Sequence, residues 1–437
     1  MSRPRRARWL PALAALAATS FGAASASASP EDVFGFGARS SALGATGAAD
    51  AQGYESVYGN PALLSLARRR SVTIGMISGL FDLSAKDKIA YEPLHGSVIG
   101  AVLPVPFGGF LKDRVALGLG FFTPFNLVVR GRILYPERAQ FPIADRTQSV
   151  AVQAGIGIDL GHGFRIGGGF AALAALSGTV LVATDASGRI GTTVDDTLVA
   201  SYGPIVGASY DIGDAWRVGV TFRGKLVGRF DVVINVKDLG DLTVPPLNIS
   251  GIAQYDPLQV AVELARVKGP WRGAVGLTYK RWSAFPGLAE ATVRCPLFDP
   301  AMPGQPFMDS CSALPAEKPG WHDTVVPRAG VERTFEPAAN VEMAVRGGFF
   351  FEPSPAPAQT KTSNIYENAR AAFTLGYGVE LGPQSARFAI DGFGQAQALI
   401  PREHVKEKGV AADNPGAPRA KSGGWIGAAG VTVGVKF

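Results

Sequence analysis

Basic residues at alternate positions are the first candidates for chemistry in this chain. One face of residues 216–230, if that segment is a strand, carries four of them: Arg217, Arg223, Lys225 and Arg229. The opposite face is apolar, because side chains alternate between the two faces of a strand. The pattern indicates a sheet with one apolar and one polar, basic face.

A second charged group lies on both sides of the short connection at 336–339. Arg328 and Glu332 precede it, and Glu342 and Arg346 follow it. A hairpin about this connection sets Glu332 opposite Arg346, and such a cross-strand pair contributes about 0.2–1 kcal/mol. With Lys280 added on the same interior face, two interpretations stay open. The group is either a ladder that braces the sheet or a cationic spot for a carboxylate head group.

An enzyme is disfavoured by the residues themselves. The sequence has no Gly-x-Ser-x-Gly turn and no His spaced with a carboxylate on one strand face, so no nucleophile has its base. The formal charge of +6 is spread out, without a Lys/Arg run that would predict nucleic-acid binding. We expect no catalytic residue, no cofactor and no metal.

The N-terminal residues resemble an export signal. Four arginines precede an apolar run at 9–24, and an Ala-x-Ala site follows it within 25–30. We expect residues 1–28 to be removed, with cleavage after Ala28 or Ala26. Export implies an oxidising compartment, in which Cys295 and Cys311 are expected to form a disulfide. Zinc is the alternative, but nothing nearby supplies further ligands.

The rest of the chain is organised as long strands. With 55 glycines, 47% apolar and 18% charged residues, the composition favours one large barrel over soluble domains. We predict fourteen strands, at 71–81, 95–106, 113–125, 146–160, 164–182, 200–212, 216–230, 256–267, 271–284, 324–335, 340–352, 370–381, 385–398 and 424–437. Short and long connections alternate, which is typical of an outer-membrane barrel with both termini periplasmic.

Two segments test that assignment. Residues 166–184 are long and apolar enough for a membrane helix, but their glycines and flanking strand patterns favour a strand. In 425–437, Trp425, Val431 and Phe437 share an apolar face and Lys436 lies on the other, as a lipid-facing strand requires.

Glycines on the interior faces predict room inside the barrel. Gly118, Gly120, Gly155, Gly157, Gly167, Gly169, Gly376 and Gly378 are assigned to those faces. The segment before residue 70 is the candidate to fill this room.

That segment carries a resemblance to a known family. Residues 34–67, with Asn60-Pro61-Ala62, resemble the N-terminal hatch of the FadL/TodX family of outer-membrane transporters for hydrophobic compounds. Matches in the family's order follow at 120–125, 221–225, 279–285 and 327–355. The resemblance covers nearly the whole mature chain.

The resemblance implies a fourteen-stranded barrel (71–437) plugged by a hatch (29–70). Gating is expected to involve Phe34, Phe36, Asn60, Pro61 and Ala62. Hydrophobic ligands are expected to enter by passive, ligand-gated diffusion. They would leave sideways at a kinked third strand, whose residues here are Gly118, Gly120, Phe122, Pro124 and Phe125. Pro124 cannot donate a ladder hydrogen bond.

The resemblance gives the class of ligand, and the basic interior residues give the candidates for its head-group site. Long-chain fatty acids come first and aromatic hydrocarbons second, with these lumen residues as head-group candidates: Arg223, Lys225, Lys280, Arg328, Glu332, Glu342 and Arg346. Apolar residues of 126–145, among them Phe141 and Ile143, are expected to form a shallow external groove. The family's Arg-Ser pair on the seventh strand is Arg223-Gly224 here, which departs from the pattern.

Two other functions stay open: a general porin, and an adaptor that escorts secreted proteins. Expected partners are the hydrophobic ligand, outer-membrane lipid and lipopolysaccharide, and the barrel-assembly machinery during biogenesis. We expect a monomer that binds no nucleic acid.

Overall fold

The computed structural model describes residues 30–125, 136–145, 147, 149–184, 190–237, 247–288, 291–294, 312–315, 318–383 and 385–437. Cys295 and Cys311, and with them the expected disulfide, lie outside these residues, as does the expected export signal 1–28.

Long strands dominate the described chain. In order they are β1 Ser71–Ala85, β2 Asp87–Ile89, β3 Leu94–Pro104, β4 Val115–Pro124, β5 Ala151–Gly161, β6 Phe164–Thr184, β7 Ile190–Ile212, β8 Trp216–Arg223, β9 Leu226–Lys237, β10 Leu247–Asp256, β11 Gln259–Arg266, β12 Trp271–Lys280, β13 Ala291–Arg294, β14 Ser312–Pro315, β15 Thr324–Ala338, β16 Val341–Glu352, β17 Arg370–Leu381, β18 Arg387–Val405 and β19 Arg419–Lys436. The short β13 and β14 pair with each other in a separate two-stranded sheet, and β2 folds back to pair antiparallel with the last residues of β1.

These strands close into an antiparallel barrel. β8 with β9 and β10 with β11 each form one barrel strand, so the ring has fourteen. The first and last strands pair from Ser71 opposite Lys436 to Ala85 opposite Ser422, which leaves the ring no edge. Because lipid offers no hydrogen-bond partners, closure of the ring is what pairs the backbone N–H and C=O groups of the first and last strands. The predicted fold class is confirmed, and residues 166–184 belong to a strand, β6.

The helices are short. They are α1 Pro30–Phe34, α2 Ala38–Ala42, α3 Ser56–Gly59 and α4 Pro142–Asp145, with 3₁₀ turns at Gly53–Glu55, Pro61–Leu66, Gly109–Leu111 and Trp282–Ala284. Among the described residues, none of the helices has the length and apolar character needed to cross a membrane. Five of these eight elements precede β1, and most residues from Pro30 to Leu66 are buried inside the barrel, apart from the exposed Gln52 and Gly53.

Side-chain exposure alternates along the wall as the pattern predicted. On β1, Val72, Ile74 and Met76 are exposed and face lipid. Exposed aromatic residues mark both ends of this apolar band, with Trp216, Trp271, Phe388 and Phe437 at the periplasmic end and Tyr202, Tyr279 and Trp425 at the other. Such girdles are typical of outer-membrane barrels.

The seventh and eighth strands differ from the prediction. Residues 216–230 are not one strand, because the ladder breaks between Arg223 and Leu226. β10 occupies residues that were predicted as a loop, and a second break separates it from β11. The break reverses the alternation: Lys225 is exposed and Leu226 is buried, so Lys225 is not an interior residue as predicted.

Candidate functional site

The hatch fills the barrel by packing on interior glycines. Gly118 and Gly155 of the wall lie against Leu64, and Gly120 lies against Phe36. A Cβ added at Gly155 would be in ordinary contact with Leu64. A Cβ added at Gly118 or Gly120 would come so close to the hatch side chain that one of the two would have to move. Gly157, Gly167, Gly207, Gly219, Gly330, Gly348 and Gly376 meet the hatch in the same way. The room predicted from the glycines is therefore occupied by the segment proposed to fill it.

Asn60 ties the hatch to the wall through its side-chain amide. Its Nδ2 donates to the carbonyl oxygens of Ala48 at 2.6 Å and of Ala208, on β7, at 3.0 Å. Its Oδ1 accepts from the N–H of Ala62 at 3.0 Å and caps the turn that begins at Pro61. The residue is fully buried. These three hydrogen bonds therefore stabilise one conformation of the Asn60-Pro61-Ala62 turn.

Two carboxylates hold backbone N–H groups of the hatch. Glu263 of β11 accepts from Gly47 at 2.9 Å and from Ala48 at 3.1 Å. Glu55 accepts from the N–H groups of Arg39 and Ser40 at 3.0 and 2.8 Å, which satisfies the start of α2. Sequence reasoning assigned neither role, since no local pattern links a carboxylate to a turn so distant in the chain.

The predicted pair of Glu332 and Arg346 is present, with Glu332 Oε2 2.6 Å from Arg346 Nε. Arg39 of the hatch joins it, donating from Nε and Nη2 to Glu332 at 3.0 and 2.9 Å. Asp391 contacts Arg346 at 2.6 Å from the other side. The pair therefore belongs to a network that joins hatch and wall.

Glu342 belongs to a different ion pair. Its carboxylate contacts Arg387 on β18 at 3.2 Å. Lys280 is also committed elsewhere: it is fully buried between Asp32 of the hatch and Glu352, at 2.8 Å from each. These three cations, Lys280, Arg346 and Arg387, are neutralised by protein carboxylates.

Arg223 and Arg328 differ from the other candidates, because no ion pair of either is found within the described part of the chain. Arg223 donates to Gln259 and to the carbonyl oxygen of Tyr58, and it lies over the Tyr58 ring at 4.6 Å. Arg328 donates to the carbonyl oxygen of Gly44 at 3.3 Å and lies over the Phe350 ring. Both line one cavity between hatch and wall, together with Phe36 and Tyr58.

Further small cavities extend from this one along the hatch–wall boundary. One is lined by Phe36, Phe122 and Phe393 and shares Phe36 with it. Another is lined by Leu226 and Pro204 and shares Tyr58 and Arg223 with it. Apolar side chains thus border part of a row of neighbouring small spaces, and the two guanidinium groups lie near its middle, in a cavity that Glu55 and Glu263 also line.

The periplasmic side of the hatch has the opposite character. A cavity of about 280 Å³ opens there, lined largely by charged residues that include Arg39, Arg272, Glu332, Glu380 and Lys436. Within the described ranges, no group of His, Cys, Asp and Glu has the spacing to hold a metal ion.

The third strand, β4, pairs with β3 as far as Pro124 and with β5 as far as Phe122, without a register shift. Phe122 is buried and Phe125 is exposed. The ladder with β5 therefore ends two residues before that with β3, but the described part of β4 shows no interruption. Phe141 and Ile143, expected on an external groove, are instead buried in the interior, where Phe141 packs on Tyr366.

Comparisons with known proteins agree with this architecture. The family model described as "Outer membrane protein transport protein (OMPP1/FadL/TodX)" matches residues 14–432. The fold is similar to a Pseudomonas aeruginosa FadL homologue, at a TM-score of 0.58 and 12% identity over 92% of this chain and 98% of that one.

It is also similar to the Pseudomonas putida toluene transporter TodX, with a TM-score of 0.54 and 15% identity over 93% of this chain and 99% of that one. The Ralstonia pickettii toluene transporter TbuX gives a TM-score of 0.53 and 16% identity over the same shares. No curated protein matches the sequence.

Proposed function

Because the chain belongs to the outer membrane protein transport protein family (OMPP1/FadL/TodX), we propose that it takes up hydrophobic small molecules by passive diffusion along the hatch–wall boundary. The family consists of outer-membrane transport channels, not enzymes, and the barrel lies in that membrane. We propose a monomer in which Asn60-Pro61-Ala62 controls gating, since Asn60 joins the hatch to β7.

Long-chain fatty acids are the proposed substrates. The observation that carries this choice is the pair of guanidinium groups, Arg223 and Arg328, which line one cavity with Phe36 and Tyr58 and with the carboxyl groups of Glu55 and Glu263. A partly buried cation loses part of its hydration, and a charge-assisted hydrogen bond to a ligand carboxylate would offset that loss. The acyl chain would lie along the apolar lining beside Phe36 and Leu226.

Arg346 is a weaker head-group candidate than the sequence suggested. Glu332 and Asp391 already contact its guanidinium, so a ligand carboxylate would have to displace both. We therefore assign Glu332 and Arg346 to the bracing interpretation, and the head-group role to Arg223 and Arg328.

Aromatic hydrocarbons are the second candidate. The support is the similarity to two toluene transporters, TodX and TbuX, and the aromatic lining of the cavity at Phe36, Phe122 and Phe393. Such ligands have no carboxylate, so their binding would not depend on Arg223 or Arg328.

The test compares palmitic acid with hexadecane in binding to the purified protein. We expect Arg223→Met and Arg328→Met each to weaken the binding of palmitic acid by about tenfold or more, because a charge-assisted hydrogen bond contributes roughly 1.5–3 kcal/mol. Hexadecane binding should change little. Arg333→Met is the matched control, since Arg333 lies on β15 as Arg328 does, but it is exposed and lies over Trp271.

Equal losses for both ligands would remove the head-group role. Mass spectrometry of organic extracts addresses the substrate class independently. A stoichiometric fatty acid supports the first candidate, and an aromatic hydrocarbon supports the second. An empty lumen with a co-purifying secreted protein would favour the adaptor over the transporter.

A further inference from the structure

A groove lies on the outer, lipid-facing surface of the barrel, where β11, β12, β15 and β16 run side by side. Its volume is about 590 Å³. The large side chains that border it are apolar and exposed, among them Leu264 and Val275. Between them the wall presents small residues: Gly273, Ala329 and Gly347. The lipid-facing wall is therefore concave at this place.

Strand register explains the shape of the groove. Gly273 is paired with Val331 of β15, and Val331 is paired with Gly347 of β16. In the next row, Ala329 is paired with Phe349. Side chains at directly paired positions point to the same face of a sheet. Small and large residues therefore alternate across this patch, and the small ones leave the depression.

Gly347 and its neighbour Gly348 serve opposite faces of the wall. Gly348 faces the interior, where an added Cβ would collide with the backbone nitrogen of Gly44 in the hatch. At Gly347 an added Cβ would meet nothing closer than Leu375 at 3.7 Å, which is an ordinary contact. Neither hatch packing nor the strand ladder thus requires glycine at 347. What the glycine does there is keep the groove open.

Two guanidinium groups meet at one end of the groove, on either side of Trp271. Arg266, exposed on β11, donates from Nη1 to the carbonyl oxygen of Trp271 at 3.0 Å. Arg333, exposed on β15, lies over the Trp271 ring, with Cζ 5.1 Å from the ring centre. The exposed ion pair in the adjoining turn joins Lys268 to Asp214. Within the described part of the chain, no carboxylate pairs with either arginine.

The groove begins at the periplasmic edge of the membrane. Trp216 and Trp271 line it and belong to the periplasmic girdle, and tryptophan is enriched at the level of the lipid head groups. From Trp271 to Val275 the lining extends roughly 13 Å along β12, at about 3.3 Å per residue. The cationic end therefore lies at head-group level, and the apolar part continues into the hydrocarbon region.

A glycerophospholipid matches both parts of the groove. Guanidinium groups bind phosphate oxygens through charge-assisted hydrogen bonds. An acyl chain gains no hydrophobic free energy by moving from lipid to protein, because both are apolar. Preference for one bound lipid must therefore come from its phosphate and from close packing in a concave surface, where dispersion contacts are numerous. This groove offers both.

A second copy of the chain fits the groove less well. A symmetric dimer buries the same patch of both copies, so the patch must be complementary to itself. Two concave faces would enclose a void. The second copy would also bring two further guanidinium groups to a surface that already carries Arg266 and Arg333.

From these observations we propose that the groove is a binding site for one glycerophospholipid of the periplasmic leaflet. Arg266 and Arg333 hold its phosphate, and one of its acyl chains lies over Gly347 between β12 and β16. The inference concerns the outside of the barrel and is independent of the substrate proposed for the lumen.

Native mass spectrometry of the detergent-purified protein tests the site. The probe is palmitoyl-oleoyl-phosphatidylglycerol, whose head group carries no ammonium group to compete for its phosphate. We expect the wild-type protein to retain one lipid, and Arg266→Met with Arg333→Met to need about tenfold more lipid for the same occupancy, because the charge-assisted hydrogen bonds are lost. Arg114→Met is the matched control. Arg114 also lies over an aromatic ring, that of Phe110 at 4.5 Å, but across the ring of strands from the groove.

A second variant fills the groove and leaves its charges in place. Gly347→Leu puts a side chain where the acyl chain would lie, and it should weaken lipid retention about tenfold. Gly394→Leu is its control, since Gly394 is an exposed glycine of β18 at which an added Cβ meets no atom within 4 Å. Heat-modifiable mobility in gels checks that both variants fold.

Three outcomes would overturn the site. The wild-type protein could retain no lipid, or a variant and its control could lose retention equally, which would mean that lipid adheres without a specific site. A dimer that Gly347→Leu dissociates would show that a second copy occupies the groove. Palmitic acid binding in the lumen should be the same in all four proteins, so failure of the lipid site leaves the proposed function standing.

Discussion

Arg39 of the hatch and Glu332 of β15 form a two-pronged ion pair, with Nε to Oε2 at 3.0 Å and Nη2 to Oε1 at 2.9 Å. Both side chains are buried. Arg39 also donates from Nη1 to the carbonyl oxygen of Asp50 at 2.6 Å and from Nη2 to the Asp50 carboxylate at 2.9 Å. The pair therefore fixes the hatch to the wall at the periplasmic face.

Removing Arg39 alone should loosen the hatch. Arg39→Met leaves Glu332 and Asp50 with less positive charge around them, and breaking a buried pair from one side typically costs about 3–5 kcal/mol. Hydrogen exchange of hatch amides measures the loss, while strand amides serve as the internal reference. The double variant Arg39→Met with Glu332→Met should recover a large part of the protection. Failure to recover would show that the pair does not act as a unit.

Asn60→Ala should destabilise the hatch and leave the barrel folded. The substitution removes the hydrogen bonds that Asn60 donates to the carbonyl oxygens of Ala48 and Ala208, and the one that it accepts from the N–H of Ala62 at the start of the turn. Each buried group left unsatisfied costs about 1–3 kcal/mol. Ligand uptake and heat-modifiable mobility in gels give the two readouts. Unchanged uptake in a folded variant would remove Asn60 from gating.

Gly207→Ala should displace the hatch from β7. A Cβ at Gly207 would overlap the side-chain amide of Asn60, which is held on both sides and cannot move without breaking its bonds. Gly394→Ala is the control, because a Cβ there meets no atom within 4 Å. Protease sensitivity of the hatch should rise for the first variant only. Equal sensitivity would show that the close packing of hatch on glycine is not needed.

The sequence predicted the barrel well because closure and lipid impose period-two alternation on every strand. The same alternation correctly placed Gly118 and Gly376 inside, and the hairpin at 336–339 set Glu332 against Arg346. Lys225 was misplaced because one local break, at Gly224, exchanges the inward and outward positions of the residues that directly follow it. No pattern within residues 216–230 predicts such a break, since it depends on Pro204 in the neighbouring strand.

The site was only partly predictable for a related reason. Charged residues were assigned to the interior as a set, yet their roles depend on which partner each one meets across the barrel. Lys280 is neutralised by Asp32 and Glu352, whereas Arg328 donates to a carbonyl oxygen and lies over a ring. Sequence separation hides these pairings, because Asp32 and Lys280 lie on different elements far apart in the chain.

Glu55 should make the hatch sensitive to pH. Its carboxyl lies in the hatch, outside the barrel strands, and burial raises its pKa to about 8, against the opposing charge of Arg39. An acid with a raised pKa in the folded state stays protonated there after the unfolded chain has ionised. Its contribution to stability is complete below the ordinary pKa of 4.5 and is lost as the pH rises through about 8.

The hatch should therefore open more readily at high pH than near pH 6. Protection of hatch amides against hydrogen exchange, corrected for the intrinsic rates, should fall across this range in the wild-type protein. Glu55→Gln has no titrating carboxyl and keeps an oxygen to accept from Arg39 or Ser40, whose N–H groups Glu55 now holds. This variant should give a flatter profile. An identical pH profile in both proteins would mean that another group controls the response, and that Glu55 is ionised throughout.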